Sequence, residues 1–162
     1  MTVAANIEWK VEAAFVAVLG ANADLASVAV VRFHDRSVTP SYPCVVINCQ
    51  GAGDEDWAVL RDFSRMLVDV TAMTYTAEDT TAASVNNTLG ACRDTIYDPS
   101  IVEDLTNAVA GLTVWGAHVE APMYAADDTD YRRRTITVTV HASARDLGVI
   151  TDSSSSSTSS GT

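Results

Sequence analysis

Three histidines are the first candidates for chemistry in this sequence, because imidazole is a common metal ligand and general base. They are His34, His118 and His141, and each falls in a segment that the residue pattern predicts to be a β-strand. Zinc sites usually show a close pair of ligands, as in CxxC or HExxH, whereas these histidines are far apart in sequence. We therefore interpret them as strand-surface residues and expect no metal and no other cofactor.

Two groups of acidic residues could attract a cation or a basic partner. The first lies in one loop and consists of Asp127, Asp128 and Asp130. The second is a run of three consecutive acids, Asp54, Glu55 and Asp56. The first group lacks the glycine and the distal glutamate of a calcium-binding loop, so we interpret it as a solvated hairpin tip. We interpret the second group in the same way, as a solvated surface.

Three consecutive arginines follow the aspartate loop directly. They are Arg132, Arg133 and Arg134, in a chain that has only 10 lysines and arginines. The interpretation we favour is that they compensate the acids of their own loop, since charged hairpin tips are common. The alternative is an intersubunit contact, in which the arginines of one subunit meet the acidic residues 54–56 of another. If subunits or partners meet through charged residues, both acidic groups and the three arginines are the contacts that we predict.

Motifs of nucleophilic or phosphate chemistry are missing from the sequence, which has no GxSxG and no GxxxxGK[ST]. Catalytic groups can be spread along a chain, so a small enzyme remains an alternative, but we expect no enzyme. The three cysteines, Cys44, Cys49 and Cys92, form no CxxC pair. We expect them to be reduced thiols that pack as small hydrophobic residues in the core.

The length and charge of the chain limit its fold and its partners. Its 162 residues suit one domain, which we place at residues 1–150, followed by a serine-rich, flexible arm at 151–162. The formal charge is -11, from 10 basic and 21 acidic residues, and phosphate backbones repel such an anion. No apolar run approaches the ~20 residues that span a bilayer. We therefore expect protein partners, no sequence-specific nucleic acid binding and no membrane association.

The segment 131–144 is the clearest strand, because from Thr135 onward apolar and polar residues alternate. A half-buried strand of this kind indicates an antiparallel sheet that helices cover on one side. The pattern predicts further strands at 28–34, 44–49, 63–75 and 112–121. The strand at 63–75 could contain a bulge, and Pro122 ends the strand at 112–121. A loop at 123–130 would lead into the final strand.

Helical spacing of apolar residues predicts three helices. The first covers residues 6–19 with Asn6 as its N-cap, and the second covers residues 78–96. The third begins with Asp98 as N-cap and Pro99 at its first position, and Gly111 ends it. The predicted fold is α+β, a mostly antiparallel sheet of about five strands with helices packed on one face. The order is helix, three strands, two helices, two strands.

This order of elements resembles the tail terminator, or tail completion, proteins of long-tailed bacteriophages. The resemblance lies in the leading helix (7–19), the strand that leads into the proline-bracketed segment PSYPCVVIN (40–48), and the long third strand. It continues with the helix at 85–96 and the closing hairpin, whose last strand contains YRRRTITVTVHA. It covers residues 1–150.

The resemblance implies a small α+β domain that assembles with copies of itself into a ring, usually a hexamer, on the head-proximal end of the tail tube. Such a ring stops polymerisation of the tube and offers a surface to the head connector. The implied location is the virion tail, after assembly in the host cytoplasm, and the implied partners are tail tube and head–tail connector proteins. Another head–tail connector or neck subunit is the nearest alternative, and a small cytosolic enzyme or ligand-binding module is a more distant one.

Overall fold

The computed structural model describes residues 3–33, 35, 40–51 and 63–143. This part of the chain contains three α-helices, α1 (Val3–Gly20), α2 (Ala83–Ile96) and α3 (Ile101–Ala108), and a 3-10 turn at Ala23–Leu25. Its strands are β1 (Ala29–Arg32), β2 (Cys44–Gly51), β3 (Phe63–Tyr75), β4 (Thr113–Asp127) and β5 (Tyr131–Ser143). His34, the acidic run Asp54, Glu55 and Asp56, and the serine-rich arm at 151–162 lie outside the described residues.

The five strands form one sheet in the order β1-β2-β3-β5-β4, with β1 and β4 at its edges. The pairs β2–β3, β3–β5 and β5–β4 are antiparallel. The pair β1–β2 is parallel, with Ala29 opposite Cys44 and Arg32 opposite Ile47. The predicted fold class, α+β with a mostly antiparallel sheet and helices on one face, is confirmed.

Alternation along β5 separates the two faces of the sheet as predicted. Ile136, Val138, Val140 and Ala142 are fully buried and belong to the core that α1, α2 and α3 cover. The core rows of β2 and β3 lie beside them and consist of Val45, Ile47 and Cys49, and of Met66, Val68, Val70 and Ala72. The opposite face, which we call the outer face, carries the threonines of β5. Burial of these aliphatic side chains, at about 25 cal/mol per Å² of apolar surface, is the main favourable term for folding.

A buried glutamate of α1 completes the hydrogen bonding of β2 where β1 ends. Pairing between β1 and β2 stops at Arg32 and Ile47, although β2 continues to Gly51. The Cys49 N–H, which points to the same side of β2 as the Ile47 backbone groups, donates to Glu12 Oε1 at 2.9 Å. Glu12 is 1% exposed. The Glu12 carboxylate thus supplies the hydrogen-bond acceptor that a longer β1 would have offered to β2.

Several predicted boundaries are wrong. Helix α1 begins at Val3, so Asn6 is not its N-cap, and α2 begins at Ala83 rather than at residue 78. Helix α3 begins at Ile101, because residues 98–101 first form a turn in which the Ile101 N–H donates to the Asp98 carbonyl. This helix ends at Ala108, and Gly111 lies in the turn that follows.

Strand β4 extends six residues beyond its predicted end and includes most of the predicted loop at 123–130. Pro122 does not end it, because β4 is an edge strand and its register shifts between Ala121 and Tyr124. Two further shifts lie between Val114 and Gly116 and between Val119 and Ala121. The bulge predicted for β3 is absent from its pairing with both neighbours over the described residues. Irregularity is thus concentrated at the sheet edge, where it discourages uncontrolled pairing.

Candidate functional site

The β4–β5 hairpin holds the arginines and the acids that the sequence singled out. Its tip is a short turn in which Asp128 Oδ1 accepts hydrogen bonds from the N–H groups of Asp130 and Tyr131, at 2.9 and 2.7 Å. These two bonds lower the pKa of the Asp128 carboxyl. The Thr76 N–H, next to the end of β3, donates to the Asp130 carbonyl at 2.9 Å. The aspartate loop is therefore a compact turn built from its own acids.

Arg134 is buried on the helix side of β5 and ties the hairpin to α2. Its guanidinium donates to both carboxylate oxygens of Asp127, to the Asn86 side chain at 3.2 Å and to the Arg133 carbonyl at 2.8 Å. The hydrogen bond from Arg134, assisted by its charge, lowers the pKa of Asp127. This arginine is fully engaged within its own chain.

Arg132 lies two residues before Arg134, on the same side of β5. Its Nε donates to the Asp79 carbonyl at 2.8 Å, and its Nη2 donates to the Thr80 carbonyl at 3.1 Å. Its Nη1 lies 2.9 Å from Asp127 Oδ2, so one carboxylate joins two arginines. Arg132 therefore fixes the loop between β3 and α2 against the hairpin.

Arg133 points to the outer face and is the exposed member of the triplet. Its Nη2 lies 3.3 Å from Asp128 Oδ2, and both side chains are about half exposed. Its guanidinium carbon lies 6.0 Å from the centre of the Tyr131 ring. An exposed pair of this kind contributes little to stability, typically about 0.2–1 kcal/mol. Within the triplet, Arg133 has the side chain most accessible to a partner.

The favoured interpretation of the charged hairpin agrees with these contacts, because all three arginines pair with aspartates of their own loop. The intersubunit contact stays a prediction. It now depends mainly on Arg133, since Arg132 and Arg134 are occupied within the chain, and its proposed acidic partners lie outside the described residues. Sequence reasoning missed the partners on the helix side, because Asp79, Thr80 and Asn86 are about 50 residues away along the chain.

We expect the loss of Arg134 to destabilise the fold and the loss of Arg133 to have little effect. Arg134→Ala removes charge-assisted hydrogen bonds from a buried side chain and should lower the free energy of unfolding by about 1–3 kcal/mol. Arg133→Ala, the matched control, should change it by less than about 0.5 kcal/mol. Urea denaturation of the three proteins measures both values. Equal effects of the two substitutions would contradict the division of roles described above.

Tyrosines and threonines dominate the outer face. Tyr42, Tyr75 and Tyr131 form a cluster at one end, with ring centres 4.4 to 5.3 Å apart. Thr71 and Thr135 are joined by a 2.9 Å hydrogen bond between their hydroxyls, and farther along, Thr137 donates to Asp69 at 2.7 Å. These contacts link β3 to β5, so the side chains of the outer face are ordered rather than loosely solvated.

The cysteines divide between the two faces. Cys49 and Cys92 belong to the core under the helices, and Cys44, also fully buried, lies on the outer side of β2, opposite Met73. The prediction that all three cysteines are buried as small hydrophobic residues is confirmed. All three thiols are free, and burial raises the pKa of Cys44 to about 11 and that of Cys92 to about 12. Burial also raises the pKa of Cys49, with further contributions from Glu12 and Glu8.

Two of the histidines are neighbours on the sheet. The rings of His118 on β4 and His141 on β5 have centres 6.1 Å apart, and His118 Nε2 lies 3.9 Å from a carboxylate oxygen of Glu120. Among the described residues, no three histidine, cysteine, aspartate or glutamate side chains are placed to hold a metal ion together. His118 and His141 lie on strands, as the sequence predicted.

An open groove of about 560 Å³ lies between the ends of α1, α2 and α3. Its polar groups are largely bonded to one another. The Asn22 amide donates to Thr95 Oγ1 at 2.7 Å and to the Ala91 carbonyl at 3.3 Å, and Asp98 accepts from the N–H and hydroxyl of Ser100. The arrangement joins the helix ends and is better described as a structural contact than as a reaction centre.

Large apolar side chains that stay exposed near the two edges of the sheet are the feature that sequence reasoning missed. At the β1 edge, Trp9 and Phe33 are 52% and 59% exposed. At the β4 edge, Met123 and Tyr124 are 56% and 69% exposed. Tyr124 falls in the loop predicted at 123–130, where strand alternation gives no signal.

Comparison with protein-family models and with curated proteins gives no significant match. Over the described residues, no helix has the length and apolar character needed to cross a membrane.

Proposed function

We propose that this protein is a structural component of a long-tailed bacteriophage, a tail terminator that forms a ring at the head-proximal end of the tail tube. The observation that carries the proposal is the order and layering of the elements. A leading helix, three strands, two helices and a long closing hairpin make up the described residues, with one sheet and its helices on one face. This is the architecture that the resemblance to tail terminators implies.

The rigidity of the closing hairpin supports a role in assembly. A ring repeats the same contact at every subunit, so surfaces that are ordered in the free subunit reduce the entropy lost on association. Arg132 and Arg134 hold the β4–β5 hairpin against the loop before α2 and against α2 itself. The hairpin therefore has a fixed direction before any partner binds, as a subunit of a repeating assembly requires.

The partners in this proposal are further copies of the chain, the tail tube protein and the head–tail connector, with the virion tail as the location. A closed ring with cyclic symmetry needs two different, complementary surfaces on each subunit. The role is structural rather than catalytic, because the ordered polar groups described above serve hydrogen bonds between elements of the fold.

Electron microscopy of the purified protein, alone and mixed with tail tubes, tests the proposal. We expect rings, usually of six subunits, and binding of these rings at one end of the tubes with arrest of further tube growth. Rings that bind connectors but not tubes would instead indicate a neck or connector subunit. A protein that stays monomeric at high concentration and leaves tube growth unchanged would overturn the proposal.

A further inference from the structure

Four side chains that can donate hydrogen bonds lie together on the outer face, where β3, β5 and β4 run side by side. His141 on β5 pairs directly with Arg65 on β3, and Thr139 on β5 pairs directly with His118 on β4. Residues that pair directly in an antiparallel sheet share one face. We call these four residues the donor cluster.

The Thr139 hydroxyl is the observation that points to a ligand. Thr139 is 1% exposed, although it lies on the face of the sheet that the helices leave uncovered. Within the described part of the chain, its Oγ1 has no hydrogen-bond partner. The neighbouring threonines of β5 differ, since Thr135 bonds to Thr71 and Thr137 bonds to Asp69. A buried hydroxyl without a partner costs free energy, so it needs an explanation such as a bound ion or water.

An open position on β4 borders one of the two histidine rings. Gly116 pairs with His141, and a Cβ added at this glycine would lie 3.8 Å from His141 Nδ1. The space beside this ring nitrogen is therefore not filled by a side chain of residue 116. The His118 ring, whose centre is 6.1 Å from that of His141, belongs to an exposed side chain. A small solute can thus approach the donor cluster from the solvent.

We infer that the donor cluster binds a small oxyanion of the class of sulfate and inorganic phosphate. The oxygens of such an ion accept several hydrogen bonds at once, and the cluster offers ring N–H groups, a guanidinium and a hydroxyl. The Thr139 hydroxyl would then donate to the bound ion. This inference concerns the single subunit and does not depend on the ring proposed above.

The charges around the cluster favour an anion over a metal ion. Arg65 carries a positive charge and has no acceptor atom, so it attracts an anion and repels a cation. The Asp69 carboxylate already accepts a hydrogen bond from Thr137 at 2.7 Å. A carboxylate oxygen of Glu120 lies 3.9 Å from His118 Nε2, which is beyond hydrogen-bond distance. The formal charge of -11 repels a long polyanion, whereas a small ion needs only the local positive charge.

Titration of the full-length protein with sodium sulfate tests the inference. The ring C–H signals of the histidines are followed by 13C-edited NMR at about pH 6, where histidine commonly carries a proton. Sodium chloride at the same ionic strength is the reference. We expect the signals of His118 and His141 to shift with saturation in sulfate, with a Kd of about 1 mM or lower, and to shift little in chloride.

A hydroxyl-to-methyl substitution isolates the contribution of Thr139. Thr139→Val keeps the shape of the side chain and should weaken sulfate binding at least about fivefold. In sulfate-free buffer its Tm should equal or exceed that of the wild type, because no hydrogen bond is lost there. Thr137→Val makes the same change on the same strand and face and should keep the wild-type Kd within about twofold. His141→Gln, a second variant at the site, should also weaken binding at least about fivefold.

The contrary outcomes are distinct from a failure of the proposed function. Histidine signals that respond equally to sulfate and chloride would show that no oxyanion site exists. Equal sulfate affinity of the wild type and Thr139→Val would remove the hydroxyl, and with it the inference. Signals that shift with zinc chloride but not with sulfate would identify a metal site instead. The presence or absence of rings in electron micrographs bears on the proposed function alone.

Discussion

Replacement of Glu12 by alanine should lower the free energy of unfolding by about 2–4 kcal/mol, measured by urea denaturation. This carboxylate of α1 is buried between the helix and the sheet. It accepts a hydrogen bond from the Cys49 N–H, at a point where β2 continues beyond the end of β1. Without it, a buried backbone donor loses this acceptor and a cavity opens between helix and sheet. Both effects destabilise the folded state, and neither has a counterpart in the unfolded chain.

Glu12→Gln is the matched control for this prediction. Glutamine has nearly the same shape and keeps an amide oxygen that can accept the Cys49 N–H, so its cost should be no more than about 1 kcal/mol. The difference between the two variants isolates the acceptor and the filled volume. If Glu12→Ala and Glu12→Gln lower the free energy of unfolding equally, Glu12 does not act as the hydrogen-bond acceptor that β1 would otherwise supply to β2.

Replacement of Asp79 by alanine should lower the free energy of unfolding by about 2 kcal/mol at neutral pH. This buried carboxylate accepts hydrogen bonds from the Val85 N–H at 2.9 Å, the Ser84 N–H at 3.1 Å and the Thr74 hydroxyl at 3.2 Å. It therefore caps the first turn of α2 from a position outside the helix. Glu78→Ala, at the exposed neighbour, should change stability by less than about 0.5 kcal/mol.

The contribution of Asp79 should disappear in acid. Burial alone would raise the pKa of its carboxyl, but the hydrogen bonds from Val85, Ser84 and Thr74, with the nearby Arg132 charge, outweigh burial and lower the pKa. The unfolded chain then binds the proton more tightly than the folded protein, so acid favours unfolding. The stabilisation is fully present above about pH 4, the ordinary value for aspartate, and is lost as pH falls through the lower folded-state pKa. A gap between wild type and Asp79→Ala that stays constant down to about pH 2 would contradict this account.

Patterns within a single strand were sufficient to place β3, whose bounds 63–75 agree with the prediction, and to assign the faces of β5. The start of α2 was misplaced because its cap acts at a distance. Ala82 precedes the helix with a positive φ of 59°, and the capping carboxylate of Asp79 comes from three residues earlier. Propensity and spacing cannot register a cap of this kind.

Long-range pairing was beyond sequence reasoning for a physical reason. The parallel pairing of β1 with β2 depends on how the link between them crosses, and side-chain alternation is the same for parallel and antiparallel neighbours. Pro122 predicts a strand end because proline cannot donate a ladder hydrogen bond, but an edge strand has one side on which no donor is needed. The partners of Arg132 and Arg134 depend on the same tertiary arrangement, since hairpin and loop meet only in the folded sheet.

Because of where the three cysteines lie, a change in the redox state of the surroundings neither forms nor breaks a disulfide in the folded chain. Cys44 and Cys49 lie on opposite faces of β2, and all three thiols are fully buried with raised pKa values, so thiolate, the reactive form, is scarce. A reducing solution has no disulfide to break here, and an oxidising one finds no accessible thiol to couple. The folded protein can pass from one to the other with its covalent bonds unchanged, and no disulfide will join one copy to another.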